Sequence, residues 1–348
     1  MRERVENGAD PTHIRPEVVG VLCAGSFVCD IVAAGLPQIG GPGDLIYAPH
    51  GISLSVGGHS ANVSIDLVQL GQKKVAAAGC IGDDLFGDYL EGELGRRGVH
   101  VYLERLTDMG TAKNIALVVE GEDRRFYAEL AANTMLSPGR VLSALDDVEP
   151  GVFFLGTVGG LRLIDRHLTE VLSEARSRRC LTFVDIIVPN GGSWEQLTEA
   201  LPLIDVLHCN DRESAALTGT ENQHEAADEL LRRGVGFVLI TMGSMGLLAY
   251  TERLKLQMPA FRVDAMDPTG AGDALCAGVI HALLDASTDR VRPPLEAEGP
   301  LKRVLLEGAA AGAACVTAPG ATTAVTRPMV DRLIREQGEA VWSSASHL

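Results

Sequence analysis

Residues 263–284 read VDAMDPTGAGDALCAGVIHALL, with Asp267, a proline and a run of small residues set directly before Asp273 and an alanine-rich amphipathic stretch. Glycine and alanine let a backbone come close to something bulky. An acid at the mouth of a helix is kept ionised by the positive end of the helix dipole. A plain capped helix start would use the same residues. Three further clusters invite the same question. Residues 25–30, GSFVCD, deliver the Asp30 carboxylate into a loop, and residues 57–62, GGHSAN, set two glycines at a helix mouth with an amide one turn in. Residues 210–213, NDRE, are followed by TMGSMG at 241–246. Taken singly, each has a structural reading: Gly57-Gly58 as a turn, Asn210 as a helix cap, TMGSMG as a hairpin. All four, however, fall at the carboxyl ends of predicted strands, where open α/β sheets bind ligands.

The elements that must position these clusters follow from apolar periodicity. VVGVLCAGSF reads as a buried strand, and the Gly/Pro-rich residues 31–56 as strands of a small accessory sheet. SANVSIDLVQLG has helical spacing and stops at Gly71. KKVAAAGCIG is a strand, DDLFGDYLEGELGRRG a helix, and TAKNIALVVEGEDRRFYAEL two strands joined by a turn at 120–123. Short apolar strands (GVFFLG, LTFVDIIV, IDVLHCN, VGFVLITMG) then alternate with helices, the last predicted at 270–284 and 301–316. Alternating β and α units predict a parallel sheet covered on both faces, in one domain over residues 17–330. Residues 1–16 and 342–348 read as loose ends.

Composition narrows the function. Thirty Lys/Arg against 46 Asp/Glu give a net charge of −16, which leaves no basic surface for nucleic acid. No apolar run reaches membrane-spanning length and the polar start is unlike a signal peptide, so no membrane partner is expected. The seven cysteines are dispersed, without C-x-x-C or zinc spacing, as expected of buried thiols in a reducing cytoplasm. Neither a G-x-x-x-x-G-K-[ST] loop nor a strand-embedded G-x-G-x-x-G occurs.

GGHSANVSIDLVQLG and DPTGAGDA together, supported by NDRE and TMGSMG, resemble the signatures of the ribokinase-like sugar kinases of the phosphofructokinase B type, over about residues 18–327. The resemblance implies a three-layer α/β/α sandwich with a small β-sheet lid, its strands from about 31–56 and 111–130. It implies an ATP-dependent kinase that phosphorylates a hydroxyl of a small sugar, sugar acid or cyclitol. Asp273 matches the base that takes the hydroxyl proton, and Gly270, Ala271 and Gly272 match the anion hole, whose backbone N–H groups converge on the γ-phosphate. Asp30, Gly57, Gly58 and Asn62 match positions that hold sugar hydroxyls, with Lys113 a further substrate candidate from the lid. Thr241, Gly243 and Gly246 match the nucleotide loop. Asn210 and Glu213 match the pair that orients Mg²⁺ through its waters. Asp267, Thr269, Cys315, Ala318 and Gly320 fall where many members bind a monovalent cation such as K⁺. Two departures stand out: His59 replaces the usual lysine of ribokinases, and Ala324 replaces a residue that often offers a hydroxyl.

Three alternatives stay open at this level. A nucleoside kinase would use the same chemistry, with Phe126 or Tyr127 stacking on the base. A sugar-phosphate kinase would need a cationic lid from Lys113, Arg124 and Arg125. A non-catalytic sensor would not need Asp273. The lid strands predict a sheet with one apolar face that a second subunit would cover, giving a homodimer.

Overall fold

In the computed structural model, residues 20–121, 125–189, 193–286, 295 and 297–347 are described. The chain opens with β1 (Val21–Gly25), β2 (Val28–Leu36), β3 (Ile52–Gly57), α1 (His59–Gln69), β4 (Val75–Gly82), α2 (Leu85–Arg96) and β5 (His100–Leu106). It continues through β6 (Lys113–Val119), β7 (Arg125–Glu129), α3 (Pro138–Val148), β8 (Val152–Val158), α4 (Leu168–Ser177), β9 (Leu181–Ile186) and α5 (Glu195–Ala200). Then follow β10 (Val206–Asn210), α6 (Asp211–Thr218), α7 (Gln223–Arg232), β11 (Phe237–Thr241), β12 (Leu247–Thr251) and β13 (Lys255–Met258). The last elements are α8 (Ala271–Ala286), α9 (Glu298–Cys315), α10 (Arg327–Ser344) and β14 (Ser346–His347).

Two sheets form. The large one has the order β14-β13-β12-β11-β10-β9-β8-β1-β4-β5, and the small one β3-β2-β6-β7. From β5 to β11 every neighbouring pair is parallel; β12, β13 and β14 extend the edge antiparallel. Apart from the edge strand β5, the parallel strands are buried on both faces, which is why they read as nearly unbroken apolar runs. One face packs on Val141, Leu168, Val171, Leu197 and Ala226 of the helices α3, α4, α5 and α7. The other packs on α1, α8, α9 and α10, through residues such as Val63, Ile280, Leu305 and Leu333. This is the expected three-layer sandwich. Because β1 pairs with β4 on one side and β8 on the other, the strand order reverses at β1. A crevice at such a reversal is where the expected site should lie.

The expectation of a loose carboxyl end at 342–348 is corrected. Trp342 to Ser344 complete α10, Ser346 and His347 pair with β13, and the Lys302 ammonium donates to the Ala345 carbonyl. The helix places Val330, Leu333 and Val341 on the core at helical spacing, so the domain runs past residue 330 and includes a helix that the sequence reading omitted. Strands β5 and β13 were also unread. No helix among the described residues is long and apolar enough to cross a membrane.

Candidate active site

Asp273 sits in the first turn of α8, nearly fully buried. Asn62, one turn into α1, donates its amide to Asp273 Oδ2 at 2.8 Å. Two segments separated by 211 residues thus meet at one carboxylate. The small residues before it have distinct reasons. Gly270 has φ +81°, and a Cβ there would lie 2.5 Å from Ala321 Cβ. A Cβ at Gly272 would sit 3.0 Å from His208 Cε1. The amides of Gly272 and Asp273 stand in the first helical turn, where the helix itself supplies no acceptor. Ala271 differs from expectation, because its N–H donates to the Pro268 carbonyl.

The small sheet carries the second carboxylate. Asp30 lies opposite Ser55 on β3 and Asn114 on β6, and the Asn114 amide donates to Asp30 Oδ1 at 3.1 Å. A Cβ at Gly57 would fall 2.1 Å from Asp30 Oδ2, so glycine there leaves room for the carboxylate. Gly58 has φ +94° and passes close to the Ser26 carbonyl. Burial pushes the Asp30 carboxyl up to about 6, and the nearby Asp273 adds to the effect. Around these groups Asn62 Oδ1 and Asn114 Oδ1 are buried without a hydrogen-bond partner. Buried orphan acceptors are rare and point to a ligand that would donate to them.

Lys113 does not join this group. Residues alternate between faces along a strand, and Lys113 lies one position from Asn114, on the face away from Asp30. Its ammonium pairs with Glu129, donates to the Thr111 carbonyl and lies over the Phe86 ring. Arg125, opposite Leu117, shares that far face, and Arg124 lies outside the described residues. Nothing described here makes a cationic lid. Phe126, opposite Ala116, shares the Asp30 face, whereas Tyr127 does not.

On the other side of Asp273, β10 and β11 end side by side with Asn210 opposite Thr241. Asn210 and Glu213 form a complete capping box: Asn210 Oδ1 accepts the Glu213 N–H at 2.9 Å, and Glu213 Oε2 accepts the Asn210 N–H at 2.8 Å. Gly243 and Gly246 both have positive φ and turn the chain sharply from β11 into β12. A Cβ at Gly246 would lie 2.1 Å from the Met258 carbonyl. The residues suggested for a monovalent cation lie on two segments, 267–269 and 315–320, that hydrogen bonds tie together. Asp267 accepts the N–H of Thr269 at 2.9 Å and of Gly320 at 3.1 Å, and the Cys315 thiol donates to the Thr269 carbonyl. Both Asp267 oxygens are therefore engaged in holding these segments.

The sequence reading missed Asp185 and His208. Asp185 is the penultimate residue of β9 and is almost fully buried; its Oδ2 bonds His59 Nδ1 at 2.5 Å and its Oδ1 bonds His208 Nδ1 at 2.7 Å. His59 Nδ1 also lies 3.4 Å from Asp273 Oδ1. Burial opposes ionisation of Asp185, but the two imidazoles outweigh it and hold the carboxyl far below its usual range. Burial likewise opposes a charged His59, yet Asp273 and Asp185 push it up to about 10. The available signal was a charged residue inside each of two apolar strands, LTFVDI and VLHCN.

Residues 20–327 match the model of the pfkB family carbohydrate kinases. The chain belongs to that family. It is therefore a phosphotransferase with an alcohol group as acceptor. It is 30% identical over 321 residues to fructokinase-2 of Solanum lycopersicum, covering 88% of this chain and 92% of the relative. It is 29% identical over 290 residues to aminoimidazole riboside kinase of Salmonella typhimurium, covering 78% and 85%. Among solved structures, fructokinase with bound ATP from Xylella fastidiosa superposes with a TM-score of 0.77 over 92% of this chain and 99% of that one, at 24% identity. The overall likeness confirms the expected fold.

Proposed function

We propose that this kinase transfers the γ-phosphate of ATP to a hydroxyl, a primary one, of a small sugar, sugar acid or cyclitol, with Asp273 as general base. The observation that carries this is the buried Asp273 at the start of α8, held by Asn62, with the orphaned amide oxygens of Asn62 and Asn114 close by. A polyol accounts for those atoms, because its hydroxyls can donate to several acceptors at once. Asp30 and Asn62 hold the acceptor, with Gly57 leaving room for the Asp30 carboxylate and Gly58 for the close approach of the Ser26 carbonyl. The acceptor oxygen attacks the γ-phosphorus, its proton passes to Asp273, and the bond to the bridging oxygen breaks, releasing ADP. The backbone amides of Gly270 and Gly272 would stabilise the transferring group, that of Ala271 being engaged by the Pro268 carbonyl. The ATP bound in the Xylella fructokinase supports ATP as donor. Thr241, Gly243 and Gly246 would lie along it.

Mg²⁺, when bound, neutralises phosphate charge. Glu213 fits a role through water, because the capping box uses only its Oε2. Asn210 would orient the same waters through its remaining amide group. The carbonyls of Thr269, Ala318 and Gly320 are the candidate donors for K⁺. The small sheet would act as the lid, closing over bound acceptor and excluding water, which competes as a nucleophile.

A nucleoside acceptor is the second reading. It is supported by Phe126 on the Asp30 face and by the relative that carries the name aminoimidazole riboside kinase. An ADP-release screen over sugars, sugar acids, cyclitols and nucleosides separates the two. Turnover confined to nucleosides would overturn the first reading, and ADP release that is independent of any acceptor would overturn both. Seven buried free cysteines fit a cytoplasmic setting.

A further inference from the structure

Besides Asp273 the site contains a second, continuous set of titratable groups, Asp185 and His208 buried and His59 partly exposed, that the transfer chemistry above leaves unused. Asp185 sits at its centre with an imidazole on each oxygen. Each histidine uses Nδ1 toward Asp185, so both rings have a fixed orientation. On the far side, His208 Nε2 lies 3.3 Å from Thr241 Oγ1, whose hydroxyl in turn faces the Cys209 carbonyl at 3.5 Å. His208 thus bridges Asp185 through Nδ1 and the Thr241 hydroxyl through Nε2, and both contacts fix its ring. On the near side, His59 Nδ1 faces two carboxylate oxygens, one of Asp185 and one of Asp273. The rings are packed as well as bonded: His208 lies against Gly272, and His59 Cβ would meet a Cβ placed on Gly156 at 3.2 Å. The result is a chain that runs Asn62–Asp273–His59–Asp185–His208–Thr241, from the acceptor side to the nucleotide side beneath the anion hole.

Burial alone drives a carboxyl toward its neutral, proton-bearing form, which cannot act as a base. Asp273 is buried and has Asp185 as a like-charged neighbour, and both raise its affinity for a proton. His59 is the largest opposing influence on it. The charged groups that face His59 are Asp185 from β9, Asp273 from α8, Glu213 from α6 and His208 from β10. Three carboxylates against one neighbouring imidazole favour a cation.

We propose that His59 is a positioning residue of the transfer step: its imidazolium, fixed by Asp185 and supported by His208, keeps Asp273 ionised and aligned to take the acceptor proton. This rests on the kinase reading above. It assigns to His59 a charge function that a neutral side chain of similar size cannot perform.

The test uses the full chain, with the best acceptor from the screen, and three variants. In His59→Gln, kcat falls by about 10–100-fold while both KM values stay within about threefold of wild type. The acid limb of the kcat profile moves up by about one pH unit or more, the effect of removing a close opposite charge. His59→Lys restores most of kcat and returns the limb. Equal kcat for Gln and Lys, or an unmoved limb, would overturn the assignment and leave His59 a packing residue. A readout without turnover separates this from the kinase reading. Nitrogen-15 histidine spectra at pH 8, with His59 identified by its loss in His59→Gln, should show both ring nitrogens protonated, and Asp185→Asn should abolish that state. A neutral His59 at pH 8 overturns the proposal whatever the kinetics show. A charged His59 in a protein that releases no ADP with any acceptor refutes the kinase reading and, with it, the positioning role.

Discussion

Asp273→Asn keeps a side chain that can stay hydrogen-bonded near Asn62 but removes the proton acceptor. The expected loss in kcat is roughly 10²–10⁴-fold, the usual contribution of a general base, with nucleotide binding intact by calorimetry. A variant within a few-fold of wild type would refute the base assignment. Asp30 gives a pH signature. Its carboxyl titrates at about 6. Above that value it is an ionised acceptor for hydroxyls; as pH falls through it, one oxygen becomes a donor and the match to the acceptor worsens. Acceptor affinity should therefore weaken from pH 8 to pH 5 while ATP affinity changes less. Asp30→Asn should flatten that dependence, and an unchanged slope would place the titration elsewhere. Asp273, Asp30 and Asn62 were legible as candidates because acid or amide side chains beside glycines at strand ends have few other uses. Lys113 was misplaced for a simple reason: a one-residue step along a strand reverses the face, and only the pairing register shows which face looks at Asp30.

At the level of elements, helix mouths carry most of the proposed machinery, and two substitutions separate scaffold from chemistry. Asn210→Ala removes half of the α6 capping box and should cost about 1 kcal/mol in thermal unfolding. Asn210→Ser keeps a capping hydroxyl. It should recover that stability but not the activity, since it lacks the amide group left for the metal-bound waters; full recovery of both would make Asn210 a cap and nothing more. Gly57→Ala tests the fit between β3 and β2. The added methyl overlaps the Asp30 carboxylate, so acceptor KM should rise by at least about tenfold with ATP KM unchanged. The clash is with the Asp30 side chain itself, so the methyl displaces the carboxylate proposed to hold the acceptor. Equal changes in both KM values would mean that the methyl distorts the whole site.

At the scale of the molecule, the small sheet has two unlike faces. One bears Asp30, Asn114 and Phe126. The other bears Ile31, Leu54, Ile115 and Tyr127, with Ile115 43% and Tyr127 60% exposed. Contiguous apolar side chains on an exposed sheet mark an interaction surface. A two-fold dimer through this face is the expected assembly. Sedimentation at micromolar concentration should give a dimer for wild type and a monomer for Ile115→Glu. A wild-type monomer, or a dimer indifferent to that charge, would exclude it.

The sequence by itself determined the alternation of strand and helix, the three-layer class, the small sheet and the residues at each strand end. Apolar periodicity and glycine placement are local signals, readable without knowing what lies across the fold. It did not determine α10 or β14, whose apolar residues declare themselves only once α9 and β13 are there to receive them. Nor did it reveal that Asp185 joins His59 to His208 across intervals of 126 and 23 residues. A buried charge is tolerable only beside its partner, and which partner it meets is decided by strand order, not by spacing along the chain.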